Sequence, residues 1–404
     1  MALTAVSSLL QKYNINRRDI GRIEVGTETL LDKSKSVKSV LMQLFSDVNT
    51  NIVGVDNINA CYGGTAALLN AVDWCESSAW DGRCAIVVAG DIAIYGKGAA
   101  RPTGGAGVVA ILVGHDAPIE LHPGLRGSYF QHAYDFYKPD LRSEYPVVNG
   151  AYSMECYTRA LDACYEEYKR REQHLTRLST KGDVSPTSGS DSGVDLTGLA
   201  SDEDTKRTPS HPELATDRFD YMAFHSPVAK LVSKSYGRLA YNDFKAHPSH
   251  PTFAQLDPAL TSPSYEASLT DRSIEKAFTA HSSQAYNDRV RPCMLAPTQV
   301  GNTYTGSLYT SLASLIAGVA PETLHGKSIG MFSYGSGLAS TMFSLHVRGD
   351  TSEMRVNLDL EARLDNRHVV SPEKFEHVSP LPSPSAACQA GGLCECQRMK
   401  RSHG

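Results

Sequence analysis

A chain of 404 residues with a net charge of −5, 41% hydrophobic and 21% charged, has an ordinary globular composition and is long enough for one large core or two. Its charge balance offers no general attraction to nucleic acid or membrane surfaces, and no apolar run reaches bilayer-spanning length. Nine cysteines, an odd number scattered along the chain, do not resemble a disulfide framework and are expected as reduced thiols in a cytoplasmic setting.

Leu3, Val6, Leu9, Leu10 and Tyr13 recur at helical spacing and predict a first helix. Lys12, Arg17 and Arg18 with no early acid also suit an organelle presequence, so a mitochondrial form stays open, but the stripe leads directly into a strand pattern. That strand, Gly21 to Gly26, ends in the polar loop Thr27-Glu28-Thr29. Ser36 to Phe45 reads as an amphipathic helix and Ile52 to Ile58 as a strand. The chain then reaches Asn59-Ala60-Cys61-Tyr62-Gly63-Gly64-Thr65, a small-residue turn opening a helix with Ala66, Ala67, Leu68, Leu69, Ala71 and Val72 on its apolar face. A thiol at a helix entrance meets the positive end of the peptide dipoles and unpaired N–H groups, both of which favour thiolate. The glycines leave backbone donors free for an oxyanion. A nucleophilic Cys61 is the functional reading; a small buried apolar residue is the alternative.

Ala85 to Asp91 is a continuous apolar strand, buried on both faces, that ends in a carboxylate. Gly104-Gly105-Ala106-Gly107 leads into a second buried strand, Val108 to Val113, and lacks the Lys-Ser/Thr of a phosphate loop. Asp135 to Pro139 and Ser143 to Val148 read as loops, and Tyr152 to Glu172 as a helix. From Gln173 to about Asp217, Ser, Thr, Asp, Gly and Pro dominate, predicting a disordered or surface insertion. Phe219 to Phe224 is a strand running into His225-Ser226-Pro227, followed by a basic helix from Lys230 to Tyr241.

Gly301 to Gly306 opens a helix carrying Leu308, Leu312, Leu315 and Ile316. The strand Ile329 to Ser333, the turn Tyr334-Gly335-Ser336-Gly337 and a strand from Met342 to Val347 follow. This order repeats that of the Cys61 region and predicts an internal duplication, with Asn302 standing where Cys61 stands. The expected organisation is a first half at 1–172, the insertion at 173–217, a second half at 218–378 and a disordered tail at 379–404. In that tail Cys388, Cys394 and Cys396 are too few for a convincing zinc site.

Several stretches in register resemble the 3-hydroxy-3-methylglutaryl-CoA synthases of the thiolase superfamily. They are Glu24 to Thr29, Asn59 to Thr65, Val88 to Ala93, Ala100 to Gly105, His132 to Pro139, Phe224 to Pro227 and Phe332 to Leu338. The resemblance spans Ala5 to about Phe375. It implies an α/β, thiolase-like layered αβαβα fold built from two duplicated halves. It also implies an acyltransferase that condenses acetyl-CoA with acetoacetyl-CoA and water by a Claisen-type reaction through an acetyl-Cys thioester, in mevalonate and sterol biosynthesis. Cys61 then corresponds to the nucleophile, Glu28 to the general acid/base and His225 to the group that polarises the acetoacetyl carbonyl. Thr103, Ser153, Asn302 and Ser336 match substrate-contacting positions, Lys230 and Lys234 match CoA-binding lysines, and Asp91 and Asp135 match acidic organisers nearby. No metal or cofactor is expected, since the CoA thioesters are substrates; the expected partner is a second copy in a homodimer. The family's N-terminal and C-terminal strand regions are expected to be missing, and Ala99 stands where the family commonly has Asn. A truncated, non-catalytic form that binds acyl-CoA or pairs with full-length enzyme is therefore the competing expectation.

Overall fold

The computed structural model describes residues 1–30, 32–140, 143–180 and 214–378. Helix α1 (Ala2–Lys12) leads into strand β1 (Ile20–Gly26). The short helix α2 (Val37–Leu41) is capped by Ser36, whose side chain accepts from the Ser39 N–H. Strand β2 (Asp56–Asn57), helix α3 (Gly63–Cys75) and strands β3 (Cys84–Ala93) and β4 (Gly105–Val113) complete a four-stranded sheet in the order β2-β1-β3-β4. β1 runs parallel to β3, while β3 and β4 are antiparallel.

The second sheet begins with β5 (Ile119–Phe130). A two-residue pair, β6 (Phe136–Tyr137) with β7 (Val147–Val148), precedes the long helix α4 (Gly150–Thr180). Strand β8 (Tyr221–Phe224) and helix α5 (Ala229–Ala246) follow. The chain then passes through α6 (Tyr265–Ser268), α7 (Arg272–His281), α8 (Ser283–Arg289) and α9 (Leu295–Val300). Helix α10 (Ser307–Gly318) and strands β9 (Ser328–Gly335) and β10 (Ala339–Val347) close the sheet, ordered β5-β10-β9-β8.

The layers follow from side-chain alternation along the strands. On β3, Ala85, Val87 and Ala89 face a core shared with α3, α10, β9 and β10, while Ile86 and Val88 face a second core with α1, β1 and α2. A third core packs α4 and α5 against Phe224, Phe332 and Met342 on the far side of the second sheet. The result is helix, sheet, paired central helices, sheet, helix: the expected αβαβα arrangement. The duplication appears in the topology, since β1-α3-β3-β4 and β8-α10-β9-β10 each join a parallel strand pair through a helix and then turn back antiparallel.

Four expectations need correction. The Ile52 to Ile58 stretch forms only the two residues of β2 and a bridge from Val53 to Arg22, because Gly54, at φ +130°, breaks the extended run. β4 lies at a sheet edge and is half-buried along most of its length. The division between halves falls between Val113 and Ile119, not at 172, because β5 pairs with β10 and α4 packs over β5. Finally, α4 continues through Thr180, and Leu214 and Ala215 are buried, so both ends of the expected insertion are folded. Residues 181–213 and the tail 379–404 lie outside the described residues. Among the described residues no helix is long and apolar enough to cross a membrane.

Candidate active site

The two central helices enter through the same turn. Ala60 adopts a left-handed conformation, φ +44°, the Tyr62 N–H donates to the Asn59 carbonyl at 3.0 Å, and α3 starts at Gly63. Tyr304 likewise has φ +44°, the Gly306 N–H donates to the Thr303 carbonyl at 3.0 Å, and α10 starts at Ser307. The counterpart of Cys61 is therefore Thr305; Asn302 lies three residues earlier, at the position of Ile58. The turns cross at van der Waals distance. A Cβ on Gly64 would sit 2.4 Å from the Thr305 carbonyl oxygen, and one on Gly26 would meet the Gly64 backbone at 2.3 Å.

Cys61 faces the end of β1. Its Sγ donates to Glu28 Oε1 at 3.6 Å, and the other carboxylate oxygen, Oε2, lies 3.2 Å from Lys138 Nζ. Burial raises the Glu28 pKa from 4.5 to about 7; Lys138 works against that rise and Asp91 adds to it. The Cys61 thiol is pushed well above the ordinary cysteine range, first by burial and then by the Glu28 and Asp91 carboxylates. This corrects the expected thiolate: two nearby anions and loss of water outweigh the helix entrance, and the resting group is a thiol hydrogen-bonded to a carboxylate.

Asp91, buried at the end of β3, ties this loop to the second half. Its Oδ1 accepts from the Thr27 hydroxyl, the Glu28 N–H, and the N–H and hydroxyl of Thr29, at 2.7–2.9 Å. Its Oδ2 accepts from the N–H and hydroxyl of Thr305 at 3.0 and 2.6 Å. Six donors on one carboxylate hold Glu28 in place across the interface between halves.

His225 follows β8 and is buried. Its N–H donates to the Phe332 carbonyl at 2.8 Å, and its own carbonyl accepts from the Tyr157 hydroxyl at 2.7 Å. The residue after Phe332, Ser333, accepts from the Thr65 hydroxyl in the first turn of α3, so β9 links His225 to the Cys61 helix. Burial lowers the His225 pKa to about 3, so the imidazole is neutral at physiological pH and does not store a proton there.

Asn302 is buried and fixed. Its side-chain oxygen accepts from the Tyr304 N–H at 2.9 Å and the Ser307 hydroxyl at 2.8 Å, and its amide donates to the Tyr95 hydroxyl at 3.3 Å. Thr103 lies beside it, its carbonyl accepting from the Asn302 N–H at 2.9 Å, but its hydroxyl is turned to the Ala100 carbonyl at 2.6 Å. The buried Asp135 accepts from the Tyr334 hydroxyl at 2.9 Å and the Gly337 N–H at 3.0 Å, bracketing the half-buried Ser336. Three positions take no part in these hydrogen-bond sets. Ser153 is half-buried on α4, Lys230 is exposed on α5, and Lys234 pairs with Glu275 at 2.8 Å beside a small cavity lined by Met154 and Leu231.

Sequence reasoning left Lys138 and the ring of Tyr304 unassigned. Lys138 Nζ lies 4.9 Å from the centroid of that ring, which also packs edge-on against Tyr95 and Phe136. The only sequence signal for Lys138 is its place in the His132 to Pro139 stretch.

Two duplicated halves in five layers, with a cysteine at the mouth of one central helix, define a thiolase-like protein. The match to known proteins is narrower still. Residues 1–118 match the family model of the hydroxymethylglutaryl-coenzyme A synthase N terminal region, and residues 119–187 and 200–381 match that of the C terminal region. The boundary between these models coincides with the division between the two sheets. The hydroxymethylglutaryl-CoA synthase of Zymoseptoria tritici is 55% identical over 382 residues, 94% of this chain and 78% of the relative. That of Saccharomyces cerevisiae is 49% identical, over 94% of this chain and 72% of the relative. The solved structure of MvaS in complex with 3-hydroxy-3-methylglutaryl coenzyme A superposes with a TM-score of 0.75 at 32% identity, covering 95% of this chain and 80% of that one. The chain belongs to the hydroxymethylglutaryl-CoA synthase family, a family of acyltransferases.

Proposed function

We propose that the chain condenses acetyl-CoA with acetoacetyl-CoA and water to 3-hydroxy-3-methylglutaryl-CoA and free CoA, through an acetyl thioester on Cys61. The observation that carries this is the Cys61 thiol hydrogen-bonded at 3.6 Å to a carboxyl whose pKa is raised to about 7. Such a carboxylate serves as a base near neutral pH and gives the proton back readily.

In the first step Glu28 accepts the thiol proton as Cys61 sulfur attacks the acetyl carbonyl. The bond to CoA sulfur breaks, and the proton passes to the departing thiolate. Glu28, ionised again, then removes a proton from the acetyl methyl group, and the resulting carbon nucleophile bonds to the acetoacetyl ketone carbon. A neutral His225 suits the donor of a hydrogen bond to that ketone oxygen, and backbone donors around the α3 entrance suit the enolate oxygen. The new alkoxide takes up the proton that Glu28 removed. Water then adds to the Cys61 thioester, breaking its carbon–sulfur bond to give the product carboxylate and, by proton transfer from the water, the free Cys61 thiol. Asn302 serves the acetoacetyl group and Ser336 the thioester; Thr103 and Ser153 contact substrate, and Lys230 and Lys234 serve the CoA moiety. No cofactor is required, and the chain acts in the cytoplasm as a homodimer. The names of its relatives and the MvaS complex support the overall reaction.

The test is labelling of the purified chain with acetyl-CoA carrying an isotopic acetyl group. One acetyl per chain is expected on Cys61, absent in Cys61→Ala. A folded chain that takes up no label and forms no product contradicts the proposal and favours a non-catalytic acyl-CoA binder.

A further inference from the structure

We infer that Lys138 is a positioning residue that holds the Glu28 carboxylate charged and aimed at Cys61, a role resting on the function proposed above. The two oxygens of Glu28 are divided between partners: Oε1 takes the thiol and Oε2 the Lys138 ammonium at 3.2 Å. With Oε2 occupied, the carboxylate is held with Oε1 toward the sulfur. The pair is largely withdrawn from water, with side-chain exposures of 16% for Lys138 and 8% for Glu28, so the ammonium acts on the carboxylate with little screening.

Local structure makes Lys138 available for this. It follows β6, whose Phe136 packs against the Tyr304 ring, and the preceding residue, Asp135, is clamped by Tyr334 and Gly337. The ammonium then rests over the face of the same Tyr304 ring, at 4.9 Å. It also pairs with Glu144, at 3.5 Å in the loop between β6 and β7, and feels the Asp91 carboxylate. The groups that act on Glu28 are thus Lys138 from the β6 loop, Asp91 from the end of β3 and Cys61 from the α3 entrance. Lys138 is the cation among them, opposing both burial and the Asp91 charge. Asp135 acquires a role through this arrangement, since it fixes the strand end from which Lys138 projects.

The test uses the full chain and reads the rate of Cys61 alkylation by iodoacetamide against pH, which reports the Glu28–Cys61 proton balance whether or not the chain turns over. In Lys138→Gln both inflections, of carboxyl and thiol, move up by about one pH unit or more, whereas Lys138→Arg keeps them near the parent values. Glu144→Gln frees the ammonium from a competing anion and moves the Glu28 inflection down. Glu28→Gln abolishes the lower inflection and identifies it. Parent-like inflections in Lys138→Gln, or an equal shift in Lys138→Arg, overturn the inference. If the variants show these shifts but the parent chain takes no acetyl group, the proposed function is overturned and this inference stands.

Discussion

The entrances of α3 and α10 share a backbone and differ in what one side chain is given to do. In both, a non-glycine residue at φ +44° stands three residues before the helix, a conformation that costs about 1–2 kcal/mol and persists only where the surroundings enforce it. At the second entrance the Thr305 hydroxyl is fully engaged, donating to Asp91 at 2.6 Å and lying 2.8 Å from the Gly26 carbonyl. At the first, the Cys61 thiol meets a carboxyl that can exchange protons with it near neutral pH. A repeated turn therefore supplies placement alone. Reactivity arises where the partner of the side chain is titratable, and the same position becomes a fastener where the partner is a carboxylate already saturated with donors.

The contrast can be broken most severely at its reactive side. Cys61→Ala should lower the overall condensation rate by about three orders of magnitude or more, with an unchanged melting temperature, measured by product formation and thermal unfolding. Glu28→Gln should reduce condensation by roughly 10²-fold or more while a measurable fraction of Cys61 still becomes acetylated, which separates carbon–carbon bond formation from acyl transfer. The fastening side should respond the other way. Thr305→Val removes a hydroxyl from a buried carboxylate and should cost about 1.5–3 kcal/mol of stability in denaturant unfolding, with the label on Cys61 retained.

The smallest effect lies in the pH dependence. A protonated Glu28 cannot accept a proton, so turnover should fall as the pH drops through about 7, while His225, at about 3, adds no limb in the working range. The two groups slope stability in opposite directions. Glu28 is raised from 4.5 in the fold, so its favourable contribution is complete below 4.5 and lost by about 7. His225 is depressed from 6.5, so its contribution is present above 6.5 and lost as the pH falls toward 3. Melting temperature against pH should steepen in the 4.5–7 interval for Glu28→Gln, which deletes one of the opposing slopes.

Local pattern carried the elements whose neighbours are close in sequence or repeat regularly. The alternation of Ala85, Val87 and Ala89 with Ile86 and Val88 already described a strand between two cores. The Asn59 to Thr65 turn pointed to Cys61, and the motif neighbours singled out Glu28 and His225. What escaped detection depends on distant contacts or on single backbone angles. β5 joins the second sheet by pairing with β10 some two hundred residues later, and its own side chains hold no record of that partner. Gly54 ends an apolar run by one torsion angle. The repeated order of elements sets Asn302 opposite Cys61, whereas the left-handed residues align Thr305 with it. The thiol's elevated proton affinity arises from burial and then from the carboxylates at 28 and 91, and Lys138 reaches Glu28 from a loop more than a hundred residues away.

Asp91 has a historical consequence. Because it is gripped by 27–29 from the first copy and by 305 from the second, the two repeats are mortised together at this carboxylate, beside the bonds of Thr65 to Ser333 and of Asn302 to Thr103. Substitution in either arm strands a buried acid without its full set of donors, so the copies must vary in concert and neither can be exchanged for an independently evolved module.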